Sequence, residues 1–261
     1  MENIPFDAEF VVHLGDIRNA AGKPPCLQAE YQTVSDILRH SWAPVFVELG
    51  DNDWNDCPNP TEGLAYWQQE FLFFYDRYWN NNLNVTTLAG RNENYSFMNK
   101  GTLFIGVDMP GSIPLNMIDW NRQLTDEVNW VMDLIANYKK DMNAQGLIGQ
   151  VVLFAHADPT QYHAPFFDPL VNFIANYLNN DIPIVYMNGD GHYWDFRPNF
   201  FGQPSFLRIM LTAETVNPPL KVMITGAHTQ LLPPEQVFLY DHELNLYGAN
   251  SYLGIGGNGG I

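Results

Sequence analysis

Residues 44–57 read PVFVELGDNDWNDC, and their reading decides the fold. The apolar run 45–49 suits one buried strand, and Gly50 ends it with a residue free to turn sharply. Asp51, Asp53 and Asp56 then follow within six positions. Carboxylates this dense repel one another unless a cation or solvent sits among them. A buried strand that delivers charge at its carboxyl end is the pattern of an open α/β sheet with a ligand site at its rim.

The same design occurs earlier. EFVVHLGD, residues 9–16, is an apolar run closed by Gly15-Asp16. Between the two runs, CLQAEYQTVSDILRH (residues 26–40) places Tyr31, Val34, Ile37 and Leu38 at helical spacing. Strand, helix, strand within this span predicts a βαβ unit and a parallel sheet. Two later apolar runs also end in polar punctuation: QVVLFAHADP (150–159) at His156-Ala157-Asp158, and IPIVYMNGDGHYWDF (182–196) at Gly189-Asp190-Gly191-His192. One Gly-Asp after a strand is ordinarily a turn, and one strand-end His is ordinarily structural. Four such ends, each with an acid or an imidazole, point to a shared cation site. Oxygen and nitrogen donors without thiolate suit Mn, Fe or Zn, and two ions about 3.5–4 Å apart can clamp a phosphoryl group.

The rest of the chain fills in the architecture. Residues 66–79, rich in Trp and Tyr, read as helical, and an Asn-rich loop covers 80–84. NYSFMNKGTLFIGVD (94–108) predicts two strands joined at Asn99-Lys100-Gly101. The clearest helix spans 124–142, with Leu124, Val128, Val131, Met132 and Ile135 on one face and Lys139-Lys140 in its last turn. A helix over 166–178, strands over 206–213 and 220–225, and a loose glycine-rich tail over 249–261 complete the reading. With no repeat and no linker, residues 1–261 form a single expected domain.

Composition narrows the partners. Hydrophobic residues make up 46%, enough for a sizeable core, while 12 Lys+Arg against 29 Asp+Glu leave a formal charge of −17. Such a field disfavours nucleic acid and anionic membranes as bulk partners, and neither is expected. It admits a phosphate substrate, because local metal ions outweigh distant carboxylates. No apolar run spans a bilayer, and the first residues lack a signal-peptide pattern. Cys26 and Cys57 are too few for a disulfide scaffold, though one bridge is open to them. Asn84-Val85-Thr86 and Asn94-Tyr95-Ser96 satisfy the glycosylation pattern. Low isoelectric point, few lysines and two sequons favour a secreted or otherwise extracytoplasmic setting.

In its order of motifs the chain resembles the calcineurin-like metallophosphoesterase family from residue 10 to about residue 225. That order is a Gly-Asp turn, a Gly-Asn-His-acid-like turn, a strand-end His and a Gly-His-x-His-like turn. A variant of the family carries turns of the form Gly-Asp-Asn-Glu-Trp-Thr-Asp-Cys and Gly-Asp-Thr-His-Tyr, to which GDNDWNDC and GDGHYWDF are similar. The resemblance implies an α/β fold, a four-layer α/β/β/α sandwich of two mixed sheets flanked by helices. It also implies hydrolysis of a small phosphoester with two divalent or trivalent metal ions (Fe, Mn or Zn). Asp16 would bridge the ions, Asp51, His156 and Asp190 would hold the second, and His192 would reach the first. Cysteines near both turns in the variant imply a Cys26–Cys57 bridge.

Two departures stand out. The family's opening Asp-x-His motif has no counterpart among the fourteen residues before Gly15, which predicts that the chain lacks its natural first strand. The alternative is a non-catalytic binding module whose first metal site is lost. The family's general-acid His is replaced by Asn52, expected at the catalytic centre with Asp53. An amide hydrogen-bonds a phosphate oxygen but protonates no leaving group. Asp53 and Asp56 are read as groups that orient Asn52 or its turn, Trp54 as packing beneath it, and Asp158 as turn chemistry. His13 is read as structural, His163 as a surface residue and His228 as ordinary loop.

Overall fold

In the computed structural model, which describes residues 7–19, 24–212 and 219–241, β1 (Val11–His13) and β2 (Val45–Val47) pair in parallel with Val12 opposite Phe46. The helix α1 (Gln28–Leu38) crosses between them, as the repeated run-then-Gly-Asp design predicts. It buries Tyr31, Ser35 and Leu38, and leaves Ile37, expected on that face, exposed.

The main sheet has seven strands. Its centre is parallel: β5 (Thr102–Gly106), β6 (Gln150–Phe154), β7 (Ile184–Asn188) and β9 (Phe206–Met210) lie side by side. One edge is finished by the antiparallel strands β4 (Arg91–Asn99) and β3 (Thr86–Leu88), and the other by β8 (Asp195–Arg197). β4 and β5 join through Lys100 and Gly101, both at positive φ, the hairpin turn predicted there.

Alternation along the strands gives each face its own core. Val151 and Leu153 of β6, with Ile105, Ile184, Tyr186 and Phe206, meet the helices α4 (Met117–Ala144) and α5 (Ala164–Asn176). Val152 and Phe154 face the other way, with Phe97, Phe104, Val185 and Leu207. On that side they meet Phe46 and Leu14, and also Phe238 of β11 (Phe238–Asp241), which pairs with β10 (Lys221–Ile224) after the short α6 (Pro234–Val237). Phe46 stacks on Tyr75, Tyr95 and Phe97 at 4.6–4.8 Å between ring centroids. The outer face of the β1–β2 pair, Val45 and Val47, is covered by Tyr31, by Trp67 and Phe71 of α2 (Pro60–Phe71), and by Phe74 of α3 (Phe74–Arg77).

The order of layers is therefore helices, seven-stranded sheet, small sheets, helices: the α/β sandwich expected. The second layer differs in one respect, because it is two separate pairs, one parallel and one antiparallel, where a continuous mixed sheet was expected. The helix expected over 66–79 is two, broken where Phe73 adopts φ 57°. The tail over 249–261 lies outside the described residues. Among the described residues no helix is long and apolar enough to cross a membrane.

Candidate metal centre

The carboxyl ends of β1, β2, β6 and β7 meet at one rim. Gly15, at φ 87°, passes so close to the second turn that a Cβ there would strike His156 Nδ1 and the backbone of Gly50. A Cβ on Gly50 would in turn strike Asp16. These two glycines let the turns touch, and the touch brings the acids together.

Asp16, Asp51 and His156 each offer a donor atom within 4.8 Å of the others. His156 Nε2 lies 3.2 Å from Asp51 Oδ1, 3.3 Å from Asp16 Oδ1 and 3.8 Å from Asp190 Oδ1. His192 Nε2, on the exposed side, is 3.5 Å from Asp16 Oδ2. All five residues expected to hold metal thus converge. His156 Nδ1 is 2.6 Å from the carbonyl oxygen of Leu14. A carbonyl only accepts, so Nδ1 carries a proton, and Nε2 is the atom turned toward the acids, where it can offer a lone pair to a bound cation. That is the tautomer and the outer support a metal-ligating histidine needs. The donor set, oxygen and imidazole in a buried pocket, fits a divalent or trivalent cation at the position shared by Asp16, Asp51, His156 and Asp190. A second position, beside Asp16 and His192, has those two donors among the described residues.

Without an ion the imidazole itself carries the compensating charge. Burial acts to lower the His156 pKa, but the Asp51 hydrogen bond and the Asp16 charge prevail and lift it to about 9. Burial, opposed by His156 and aided by Asp51, pushes the Asp16 carboxyl up to about 6. Burial works the same way on Asp51, yet its hydrogen bond to His156 and the charge of that ring hold it below the usual range.

The two residues expected to act catalytically are placed differently from each other. Asn52 is at the rim: its Nδ2 donates to Asp16 Oδ2 at 2.7 Å, and its backbone N–H to Asp51 Oδ1 at 2.9 Å. Asp53 is turned inward and fully buried, and its Oδ2 accepts from the amides of Gly50 (2.8 Å) and Asp16 (3.0 Å). It ties the first turn to the second, so its place is that of a brace rather than a group facing substrate. Burial and the neighbouring Asp16 push its pKa to about 7.

The loops around the site settle the remaining histidines and acids. His163, expected at the surface, is fully buried; it accepts from Thr160 N and so donates through Nε2 to the carbonyl of Pro110 (3.1 Å). That contact supports the 110–113 loop, whose Gly111 lies flat against the Asp190 carboxylate. Asp56 accepts from Ser112 Oγ, Trp54 packs into the core beneath the turn, and His13 lies in β1 opposite Val47. His228 bridges to Ile148 and meets Thr225 Oγ1 at 2.7 Å. Asn94 is fully buried and bonded to Asp108 N, so the second sequon is closed to modification in the folded chain, whereas Asn84 is exposed. Cys26 and Cys57 form the expected disulfide, Cα–Cα 5.7 Å.

Two functional supports escape the motif reading. Arg18 donates to the carbonyl of Asn52 (2.8 Å) and pairs with Glu30. Arg208 donates to Asn188 (3.0 Å) and to Asp158 (2.7 Å), whose own amide donates to Asp190 Oδ2 (3.1 Å). The signal for Arg208 was in view: it is one cation inside the apolar run FLRIM, where a charge is buried only if paired. No family model matches this chain, and no curated protein matches it.

Proposed function

We propose that the chain is a metal-dependent phosphoester hydrolase of the calcineurin-like metallophosphoesterase kind. The observation that carries this reading is the meeting of Asp16, Asp51 and His156 within 4.8 Å, from three segments far apart in sequence. Asp16, Asp51, His156 and Asp190 would hold one ion, with Asp16 and His192 reaching a second. Bound there, Fe, Mn or Zn would lower the pKa of water and polarise a phosphoryl oxygen. The chain's residues do the rest. Asp53 and the Leu14 carbonyl fix the turns and the His156 ring, and Asn52 offers an amide donor to a phosphate oxygen at any pH. Since Asn52 has no proton to give, the leaving group departs as an anion, and esters of acidic alcohols are favoured. The Cys26–Cys57 bridge suits an oxidising, extracytoplasmic setting.

The second reading is a non-catalytic module that binds one cation; the two-donor character of the position beside His192 favours it. Metal content with hydrolysis of a chromogenic aryl phosphate tests both. Metal retained by the wild type, turnover of the ester, and loss of both in Asp51→Ala and His156→Ala are expected. Metal without turnover gives the binding module, and no metal in the wild type overturns both readings.

A further inference from the structure

Beside the acids lies a surface of the opposite character. Ile113, Leu115 and Ile118 expose 65%, 64% and 79% of their surface, and Met117 is also exposed. These are four large apolar side chains within six residues, two on the loop and two on the first turn of α4, an exposed apolar patch of the kind that marks a binding surface. The loop is fastened to the site at three points: Gly111 presses against the Asp190 carboxylate, Ser112 Oγ donates to Asp56 (3.0 Å), and Asn55 Nδ2 donates to the carbonyl of Ile113 (3.3 Å). The apolar surface therefore begins where the acid cluster ends. The two arginines tied to the site are buried and spend their guanidinium groups inward, Arg18 on Asn52 and Glu30, Arg208 on Asp158 and Asn188. Neither is turned out to receive a further phosphate of a nucleotide-like substrate.

Resting on the hydrolase reading, we infer that the substrate is a phosphoester whose alcohol is a bulky, uncharged, apolar group, an aryl one above all, that lies over Ile113 and Leu115. In the reaction a water oxygen bonds to phosphorus as the bond from phosphorus to the leaving oxygen breaks. The electron pair leaves on that oxygen, and one water proton passes to bulk solvent. An aryl oxygen carries the resulting charge without a proton donor, which matches the amide at Asn52.

The test compares two phenolic phosphates of matched acidity, one compact and one bulky, and the corresponding non-hydrolysable phosphonates. The metal-loaded wild type is set against the double variant Ile113→Asn/Leu115→Asn. The bulky ester is expected to have the higher kcat/KM, and the bulky-to-compact ratio to fall about tenfold in the double variant, the yield of covering roughly 60 Å² of apolar surface. An unchanged ratio overturns the inference. If the wild type turns over neither ester, the hydrolase reading fails on its own, and calorimetry with the phosphonates decides the surface. Tighter binding of the bulky phosphonate that the double variant loses upholds it, and equal affinity overturns it. Retention on neutral phosphatidylcholine vesicles, or a dimer, that the double variant abolishes without any bulk preference gives the loop to a bilayer or a second copy, and also overturns it.

Discussion

Asp53 shows how little the identity of a residue says without its direction. Its place in GDNDW suggested a part in the chemistry, yet its carboxylate accepts two backbone amides from neighbouring turns. Removing that acceptor leaves two buried donors unpaired, at about 1–3 kcal/mol, and frees the turns that carry Asp16 and Asp51. Asp53→Ala should therefore weaken metal binding by about 10–100-fold, the usual effect of losing support behind a ligand. Asp53→Asn keeps a carbonyl for both amides and should recover most of that affinity in a chelator competition. If D53N binds metal as the wild type does but loses turnover, the carboxylate acts in the chemistry and the brace is not its whole role. Asp16, Asp51, His156, Asp190 and His192 were legible because strand ends punctuated by acid or imidazole recur four times. The inward turn of Asp53 and the burial of His163 were not, because both depend on loops supplied from distant parts of the chain.

At the scale of elements, periodicity found the buried parts and missed the exposed ones. The helix read over 124–142 runs over Met117–Ala144: its first turns bury Trp120 but expose Met117 and Ile118, and that mixture blurs the apolar spacing there. The Asn116 side chain, which accepts from the amides of Ile118 and Asp119, marked the true start. The loop 51–57 is the element on which the site depends most. It is held by Arg18 at Asn52, by Ser112 at Asp56, by the Ile113 carbonyl at Asn55 and by the disulfide at Cys57. The bridge joins residues 31 apart, and a closed loop of that size stabilises by about 3–4 kcal/mol. Cys26→Ser/Cys57→Ser should lower the denaturation midpoint accordingly and loosen metal binding with it. A midpoint that does not move would mean that the other three ties hold the loop unaided.

Over the whole molecule, the layers followed from strands and helices that could each be read locally. The division of the second layer into two pairs did not, because strand neighbours are chosen by packing across the molecule. Nor could composition reveal that some of the acids counted in the formal charge lie inside. Glu127 and Asn94 are fully buried; Gln123 donates to Asp108 Oδ2 (3.3 Å) and to Glu127 Oε1 (3.0 Å), and Asn94 also reaches Glu127 (3.3 Å). Burial, then the nearby Glu93, pushes the Asp108 pKa from 3.8 to about 8, and burial with Asp108 beside it carries Glu127 well above the carboxylate range. The sign follows from proton counts. Between about pH 4 and 8 the folded chain holds protons that the unfolded chain has released, so this network's stabilisation is full at the acid end and is lost as pH rises through 8. Each such proton is worth up to about 1.4 kcal/mol per pH unit. His156, raised to about 9, adds its own loss above 6.5 in the metal-free chain, so the comparison must be with a variant rather than with the raw curve. Asp108→Asn leaves His156 in place and removes one titrating carboxyl. Its denaturation midpoint should therefore fall less steeply between pH 5 and 8 than that of the wild type. Parallel curves would show that Asp108 is ionised inside the fold, and that its charge is met by a partner other than a shared proton.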